Sequence, residues 1–137
     1  NLSGVSLEGK TFIGANLRSA KLSGSNLKST VLQDANLEGA DLTEAVLTDA
    51  QLKRVKLYRA QLNNANLVYA DLAEVNLKAA VLIGANLEGA LLTKADLRRA
   101  NLDRANLKAA ELSNAQMRGA ILCNTTMPDG GVIYSGC

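Results

Sequence analysis

Large apolar residues recur at every fifth position along almost the whole chain. From Leu2 to Met127 this central column has 26 positions, of which 23 are Leu and the others are Phe12, Met117 and Met127. An α-helix turns about 100° per residue, so a step of five would distribute these side chains around its whole circumference. A strand alternates sides at every residue, so an odd step would send successive leucines to opposite faces. The spacing therefore predicts a backbone that turns a corner once per pentapeptide.

The other positions of the pentapeptide also have a fixed character. Two residues before each central residue stands a small residue, which is Ala in 18 of 25 cases. Asn or Asp commonly precedes the centre, and charged residues, Ser, Thr or Gly follow it. Two positions are therefore predicted to face inwards and three to face water, with glycine at the corner for its conformational freedom.

This pattern resembles the pentapeptide-repeat family, whose A-(N/D)-L-x-x unit occurs here as residues 35–39, 40–44 and 85–89. The resemblance covers residues 1–127 without an insertion. It implies an all-β fold, a right-handed quadrilateral β-helix with four pentapeptides per coil and about six coils in this chain. With about 4.8 Å between stacked strands, such a rod is roughly 30 Å long.

The surface charges support a register of twenty residues between stacked neighbours. One outward column reads Asp34, Arg54, Glu74 and Lys94, so its signs alternate. Opposite charges directly above one another in a sheet are favourable, although each exposed pair contributes little stability. Further pairs at this spacing are Lys21 with Asp41, Arg18 with Glu38, and Glu88 with Lys108.

The repeat ends at Met127, and residues 128–137 are predicted to form a C-terminal capping tail. Residues 128–131 have the Pro and Gly content of a turn, and residues 132–134 are apolar enough to lie across the end of the last coil. The sequence begins inside a repeat and without Met, so we expect a trimmed product. No cap is recognisable at its N-terminal end, and we expect either that a cap was removed or that this end packs against a partner. Such a rod is predicted to be a monomer or to associate end to end.

Cys123 and Cys137 are the only cysteines. A disulfide between them would attach the tail to the last coil, and two free thiols are the alternative. A metal site lacks ligands because the chain has no His. If the disulfide forms, the compartment is oxidising, such as a bacterial periplasm or the thylakoid lumen. Of these compartments the resemblance points to the thylakoid lumen, where several plant and cyanobacterial members of the family reside.

The residues present do not form a recognisable catalytic constellation. Without His there is no Ser–His or Cys–His pair, and the carboxylates stand singly on a convex surface. Asp34 and Glu74, the closest approach to an acid/base pair, are separated in their column by Arg54. We therefore predict a protein that is not an enzyme and needs no cofactor.

One face of the predicted rod has an unusual charge pattern. The formal net charge is only +2, from 15 basic and 13 acidic residues, which by itself implies no particular partner. Lys78, Arg98 and Arg118 nevertheless stack directly with no acid between them, and Arg59 and Arg99 lie on the same face. Like charges opposite one another are destabilising, so these five residues are candidates for contact with an acidic protein partner. A merely solvated basic stripe is the alternative.

Two other classes of partner are disfavoured. No aromatic residues interleave with the basic ones for base stacking, which argues against nucleic acid. No apolar run reaches the 18 or so residues that a membrane span needs.

The predicted function is a non-enzymatic structural or protein-interaction module, a rigid rod with one basic face. The resemblance supplies an alternative, because one branch of the family looks like B-form DNA and protects type II topoisomerases from inhibitors. That mimicry requires an acidic surface along the rod, which a net charge of +2 disfavours.

Overall fold

Short extended segments separated by turns make up the computed structural model, which describes residues 1–137. Between Ser6 and Thr126, residues twenty apart form 21 isolated parallel β-bridges. Each layer of twenty residues therefore lies on the layer before it and contains four pentapeptides. The only longer strands are β1, Leu122–Thr126, and β2, Val132–Ser135.

Backbone hydrogen bonds connect every layer to both of its neighbours. The N–H of Leu37 donates to the carbonyl of Lys56 in the next layer at 2.8 Å, and the N–H of Asn36 donates to Ala15 in the preceding layer at 2.9 Å. The N–H of Ala40 donates to the carbonyl of Leu37 at 3.0 Å and closes a four-residue turn. Because a turn follows every three extended residues, the pairing consists of single bridges and not of long ladders.

Each of these turns has its third residue in the left-handed region of φ. Gly119 has a φ of 73° there, and the same position is occupied by Ala79 and Ala109, each with a φ of 57°. This backbone requirement explains why glycine recurs at the corner of the repeat.

The two inward columns form one continuous core that extends from Leu22 to Ala110. Leucine side chains fill it, and the alanine column leaves room for them. Ser25 and Thr30 occupy alanine positions without leaving a hydroxyl unpaired, because each donates at 2.7 Å to the carbonyl three residues before it. The leucines of the first layer, from Leu2 to Leu17, are only partly buried because no layer covers them on the N-terminal side.

The Asn or Asp before the central residue stabilises the turn that follows. The side-chain oxygen of Asn66 accepts a hydrogen bond from the N–H of Val68 at 3.2 Å, and Asp71 accepts one from Ala73 at 3.0 Å. Twelve Asn or Asp residues make this contact with the N–H two residues ahead. The polar character of this column was predicted from the sequence, whereas its hydrogen bonds to the turn were not.

The C-terminal residues form an antiparallel hairpin of β1 and β2, with Thr125 opposite Ile133 and Thr126 opposite Val132. Val132 and Tyr134 are 47% and 66% exposed, whereas Ile133 between them is partly buried. Most side chains of β2 therefore lie outside the core. The tail thus pairs with the last residues of the repeat, and the burial expected for residues 132–134 is not found at Val132 and Tyr134.

A disulfide closes this hairpin. The sulfur atoms of Cys123 and Cys137 are 2.02 Å apart and the Cα atoms 5.0 Å apart. Of the two alternatives that the sequence left open, the structure has the bonded one.

Candidate functional site

Basic charge is concentrated on one side of the stack. We call this side the basic face and define it as the pentapeptides 15–19, 35–39, 55–59, 75–79, 95–99 and 115–119. Parallel bridges align its members, for example Asn76 with Asp96 and Asp96 with Gln116. The basic face contains seven basic and two acidic residues, a net charge of +5. Because the whole chain carries +2, the remainder of the chain carries −3.

The C-terminal half of the basic face contains a shallow depression of about 340 Å³. Its lining consists of Lys78, Arg98, Arg99, Arg118 and Gly119, with no apolar side chain among them. These residues come from three successive layers, so the twenty-residue register brings them together. The depression thus unites four of the five basic residues that the sequence analysis selected.

Asp96 fixes the guanidinium of Arg98. The Nε of Arg98 donates to Oδ1 of Asp96 at 2.8 Å, and the Nη2 donates to Oδ2 at 2.6 Å. The backbone N–H of Arg98 also donates to Oδ1, at 3.1 Å. These hydrogen bonds hold the pKa of Asp96 below its ordinary value and raise the pKa of Arg98. No acidic residue stands between Lys78, Arg98 and Arg118 in their own column, as the sequence predicted. An acid nevertheless reaches this stack, because Asp96 in the neighbouring column binds Arg98.

The other cations of the depression have no acidic partner. Lys78, Arg99 and Arg118 form no ion pair with a carboxylate. The stem of Arg99 extends over Gly119, where an added Cβ would lie 3.5 Å from the Cγ of Arg99. The ion pairs of the structure are Arg18–Glu38, Lys53–Glu74, Arg54–Asp34, Arg98–Asp96 and Arg104–Asp103.

Arg59 is separated from these four residues. Its guanidinium carbon lies 4.9 Å from the centre of the Tyr58 ring, in the range of a cation–π contact. Both residues line a second depression of about 160 Å³, together with the Arg18–Glu38 pair. Sequence reasoning missed Tyr58, although it occupies the same repeat position as Lys78 and Arg98.

The charge columns away from the basic face are only partly paired. Arg54 and Asp34 make two hydrogen bonds of 2.7 and 2.9 Å, which hold the pKa of Asp34 below its ordinary value. Glu74 pairs diagonally with Lys53 at 3.9 Å. Lys21 is stacked over Asp41, and Glu88 over Lys108, but neither of these two pairs forms an ion pair.

The structure contains no cluster of three or more His, Cys, Asp or Glu side chains able to hold a metal ion. No helix in it has the length and apolar character that crossing a membrane requires.

The stacked pentapeptides and their inward Leu and Ala columns define an all-β repeat protein with a charged lateral surface. The family model of pentapeptide repeats matches this chain in eight copies, over residues 1–34, 20–58, 30–67, 56–93, 70–108 and 88–124. The chain therefore belongs to the pentapeptide-repeat family.

Solved structures of pentapeptide repeat proteins resemble this chain. QnrB1, a plasmid-mediated fluoroquinolone resistance protein, superposes with a TM-score of 0.70 at 16% identity over 89% of this chain and 74% of its own. HetL from Nostoc sp. strain PCC 7120, which is involved in heterocyst differentiation regulation, gives 0.45 at 25% identity over 97% and 91%. A protein from the Arabidopsis thaliana thylakoid lumen gives 0.30 at 23% identity over 96% and 71%. Of these three, QnrB1 supports the fold, and its low identity supports nothing further.

No curated protein sequence matches the chain.

Proposed function

We propose that this protein is a non-enzymatic structural and protein-interaction module. In this proposal residues 1–127 form a right-handed quadrilateral β-helix of about six coils. Residues 128–137 cap its C-terminal end, and the basic face contacts an acidic protein partner. The proposed contact residues are Arg59, Lys78, Arg98, Arg99 and Arg118.

The observation that carries the proposal is the uneven distribution of charge. A net charge of +5 on the basic face and −3 on the rest of the chain gives the rod one strongly basic side. Lys78, Arg99 and Arg118 lie on that side without an acidic partner, which costs repulsion between neighbours. An acidic surface would remove this repulsion and would be steered towards the basic side.

The basic face is also suited to a rigid contact. Its side chains project from layers that backbone hydrogen bonds tie to both neighbours, so a partner meets a surface that is already ordered. Pre-organisation of this kind lowers the entropic cost of binding.

Affinity capture from an extract of the source organism tests the proposal. We expect a partner retained by the wild-type chain to be lost from a variant carrying Arg98→Glu, Arg99→Glu and Arg118→Glu. The matched control reverses the same number of charges on other faces, with Lys21→Glu, Lys28→Glu and Lys108→Glu, and should retain the partner. All three chains are first compared by urea denaturation, so that loss of folding is not mistaken for loss of binding.

The capture experiment distinguishes a basic face that contacts a partner from one that is only solvated. Identical capture by the wild-type chain and the basic-face variant would contradict the proposal. Loss from both variants would show a dependence on net charge alone and would also contradict it.

The topoisomerase alternative predicts a different charge distribution. A DNA mimic needs an acidic surface along the rod, and the faces of the repeat outside the basic one carry only −2 between them. We therefore expect purified DNA gyrase to keep its full supercoiling activity in excess of this protein. Inhibition of gyrase, or its protection from a fluoroquinolone, would favour the alternative.

We further propose an oxidising compartment, either the thylakoid lumen or a bacterial periplasm. The Cys123–Cys137 disulfide supports this, because disulfides persist in oxidising environments and are rare in the cytosol. Fractionation with thiol alkylation before lysis tests it. Alkylation of both cysteines in cells would contradict it.

A further inference from the structure

The depression at Lys78, Arg98, Arg99 and Arg118 has a composition that favours one kind of ligand. Four cations and the single carboxylate of Asp96 give it a local net charge of +3. No apolar side chain lines it, so it has no apolar surface against which an apolar ligand could pack. A small, multiply charged anion with several acceptor oxygens matches these walls best.

The geometry of the arginine side chains indicates which anionic groups the depression would bind. Three of the four cations are arginines, whose planar guanidinium groups donate pairs of parallel hydrogen bonds to carboxylates and phosphates. The Nε and Nη2 of Arg98 are bonded to Asp96, so this guanidinium is held in place with its Nη1 available to a ligand. Arg99 and Arg118 have no carboxylate partner and keep all of their donors.

The charge of the site exceeds what one carboxylate ligand would neutralise. A carboxylate brings one negative charge and two oxygens, whereas a phosphate monoester brings a charge near −2 and three strong acceptor oxygens. The three arginines and the lysine come from three successive layers and together offer more donors than the three oxygens of such a group can accept from one residue alone. A partner with carboxylates alone would need several of them within one small depression, where they would repel one another.

We infer that the depression formed by Lys78, Arg98, Arg99 and Arg118 is a binding site for a phosphate monoester. This inference rests on the proposed function, because it names the chemical group through which the basic face holds its partner. The phosphate can belong to a phosphorylated protein side chain or to a small phosphorylated molecule. The experiment distinguishes these two sources.

Backbone NMR of the ¹⁵N-labelled full chain tests the inference. The probes are N-acetyl-phosphoserine amide and N-acetyl-glutamate amide, titrated at constant ionic strength and pH 7.5. We expect phosphoserine to shift the amide signals of Lys78, Arg98, Arg99, Arg118 and Gly119. Its affinity should exceed that of glutamate by about tenfold, the equivalent of one additional charge-assisted hydrogen bond.

Two variants provide the matched comparison. Arg99→Gln with Arg118→Gln removes two donors that have no role in another ion pair, and it should weaken phosphoserine binding by about tenfold or more. Lys28→Gln with Lys108→Gln removes two exposed charges from a face two pentapeptides away and should leave binding within about twofold of the wild type.

The pH dependence of phosphoserine binding provides an independent test. A phosphate monoester has its second pKa near 6, so lowering the pH from about 7.5 to about 5 converts most of it to the monoanion and should weaken binding several-fold. Asp96 is the only carboxyl group at the site, and the hydrogen bonds from Arg98 keep its pKa below the ordinary value, so it stays ionised over this range.

The source of the phosphate is identified with a peptide. A blocked pentapeptide with phosphoserine between pairs of glycines should bind more tightly than the single amino acid if the natural ligand is a polypeptide, because its backbone adds contacts. Equal affinity would identify a small phosphorylated molecule as the better match. Both results are compatible with a phosphate site.

Several results would overturn the inference. These are equal affinity for glutamate and phosphoserine, shifts spread over all faces of the rod, and equal weakening by the two variants. If glutamate bound at the depression as strongly as phosphoserine, the proposed function would stand, but the preference for a phosphate would be contradicted. Failure of both probes to reach the depression would overturn the inference, and the capture experiment would still decide the proposed function.

Discussion

The corner residue of each pentapeptide adopts a left-handed φ whether or not it is glycine. For Ala109 this φ is 57°. A residue with a Cβ pays about 1 kcal/mol or more in this region, because the Cβ approaches the neighbouring carbonyl. Hydrogen bonds between layers hold the corner and offset that cost.

Replacing Ala109 by glycine is therefore expected to stabilise the protein. Relief of the backbone strain should outweigh the greater flexibility of the unfolded chain and raise the free energy of unfolding by about 0.5 kcal/mol. Ala73→Gly is the control, because Ala73 lies one position earlier in its turn and has no positive φ. It should lower the free energy of unfolding by about 0.5–1 kcal/mol in urea titrations. Destabilisation of similar size by both changes would contradict this explanation of the corner.

Asp34 and Asp96 should make the stability depend on acid pH. Arginine hydrogen bonds hold the pKa of each below the ordinary value of 3.8. A carboxyl group whose pKa is depressed by folding adds stability above its unfolded pKa, and that stability is lost as the pH falls through the folded value. We expect the urea midpoint to fall between about pH 4 and pH 2, and to fall less in a variant with Asp34→Asn and Asp96→Asn. An equal fall in both chains would assign the acid sensitivity to other groups.

A leucine of the central column is fully buried only where layers cover it on both sides. Leu72 is fully buried between layers, whereas Leu112 lies in the same column two layers on and is only partly buried. The stabilisation that each leucine contributes should follow this difference.

Leu72→Ala should lower the free energy of unfolding by about 3 kcal/mol, because it removes buried methyl groups and leaves a cavity that neighbouring layers cannot fill. Leu112→Ala should cost about 1 kcal/mol, because water already reaches that site. Urea denaturation of both variants provides the comparison. Equal costs would mean that the last layer is as well covered as the middle of the stack.

The C-terminal hairpin depends on its disulfide more than the repeat does. Closure of a loop of about 15 residues contributes roughly 3 kcal/mol in the chain-entropy model. Without the bond, β2 is held only by its pairing with β1 and has exposed side chains.

Cys123→Ser with Cys137→Ser should therefore open the hairpin without unfolding the repeat. We expect the amide hydrogens of Val132–Ser135 to exchange at least tenfold faster, while the amide of Leu72 keeps its protection. Native hydrogen exchange followed by NMR measures both. An equal loss of protection in β2 and in the middle of the repeat would show that the two unfold together.

The sequence was sufficient to predict the layers because their cause is periodic. Leucine at every fifth residue defines the inward columns, and charges that match at twenty support the register that the family resemblance implies. The hairpin was only partly predicted, since the apolar character of Val132 and Tyr134 suggested burial, whereas β2 pairs along one edge and leaves them exposed. The tail lies outside the repeat, so no periodic pattern indicates which of its side chains are buried.

The depression could be predicted in part for the same reason. Lys78, Arg98 and Arg118 repeat at twenty residues, so their proximity follows from the register. The bond from Asp96 to Arg98 lies within one pentapeptide and depends on side-chain conformation, which column analysis does not describe.

Over the whole molecule, the four sides of the stack differ much more in charge than in backbone structure. The same pentapeptide geometry builds every face, so only the outward residues distinguish them. The basic face carries +5 and the rest of the chain −3, a separation of charge that the net value of +2 conceals. An acidic partner should therefore approach from one side.

Site-specific photo-crosslinking in an extract of the source organism measures which side is used. A photoreactive amino acid is placed at position 99 on the basic face and, in separate chains, at positions 28 and 108, which lie two pentapeptides away within the layer. We predict an adduct with an acidic protein from position 99 and none from positions 28 and 108. An adduct from position 28 or 108 with none from position 99 would contradict a function carried by the basic face.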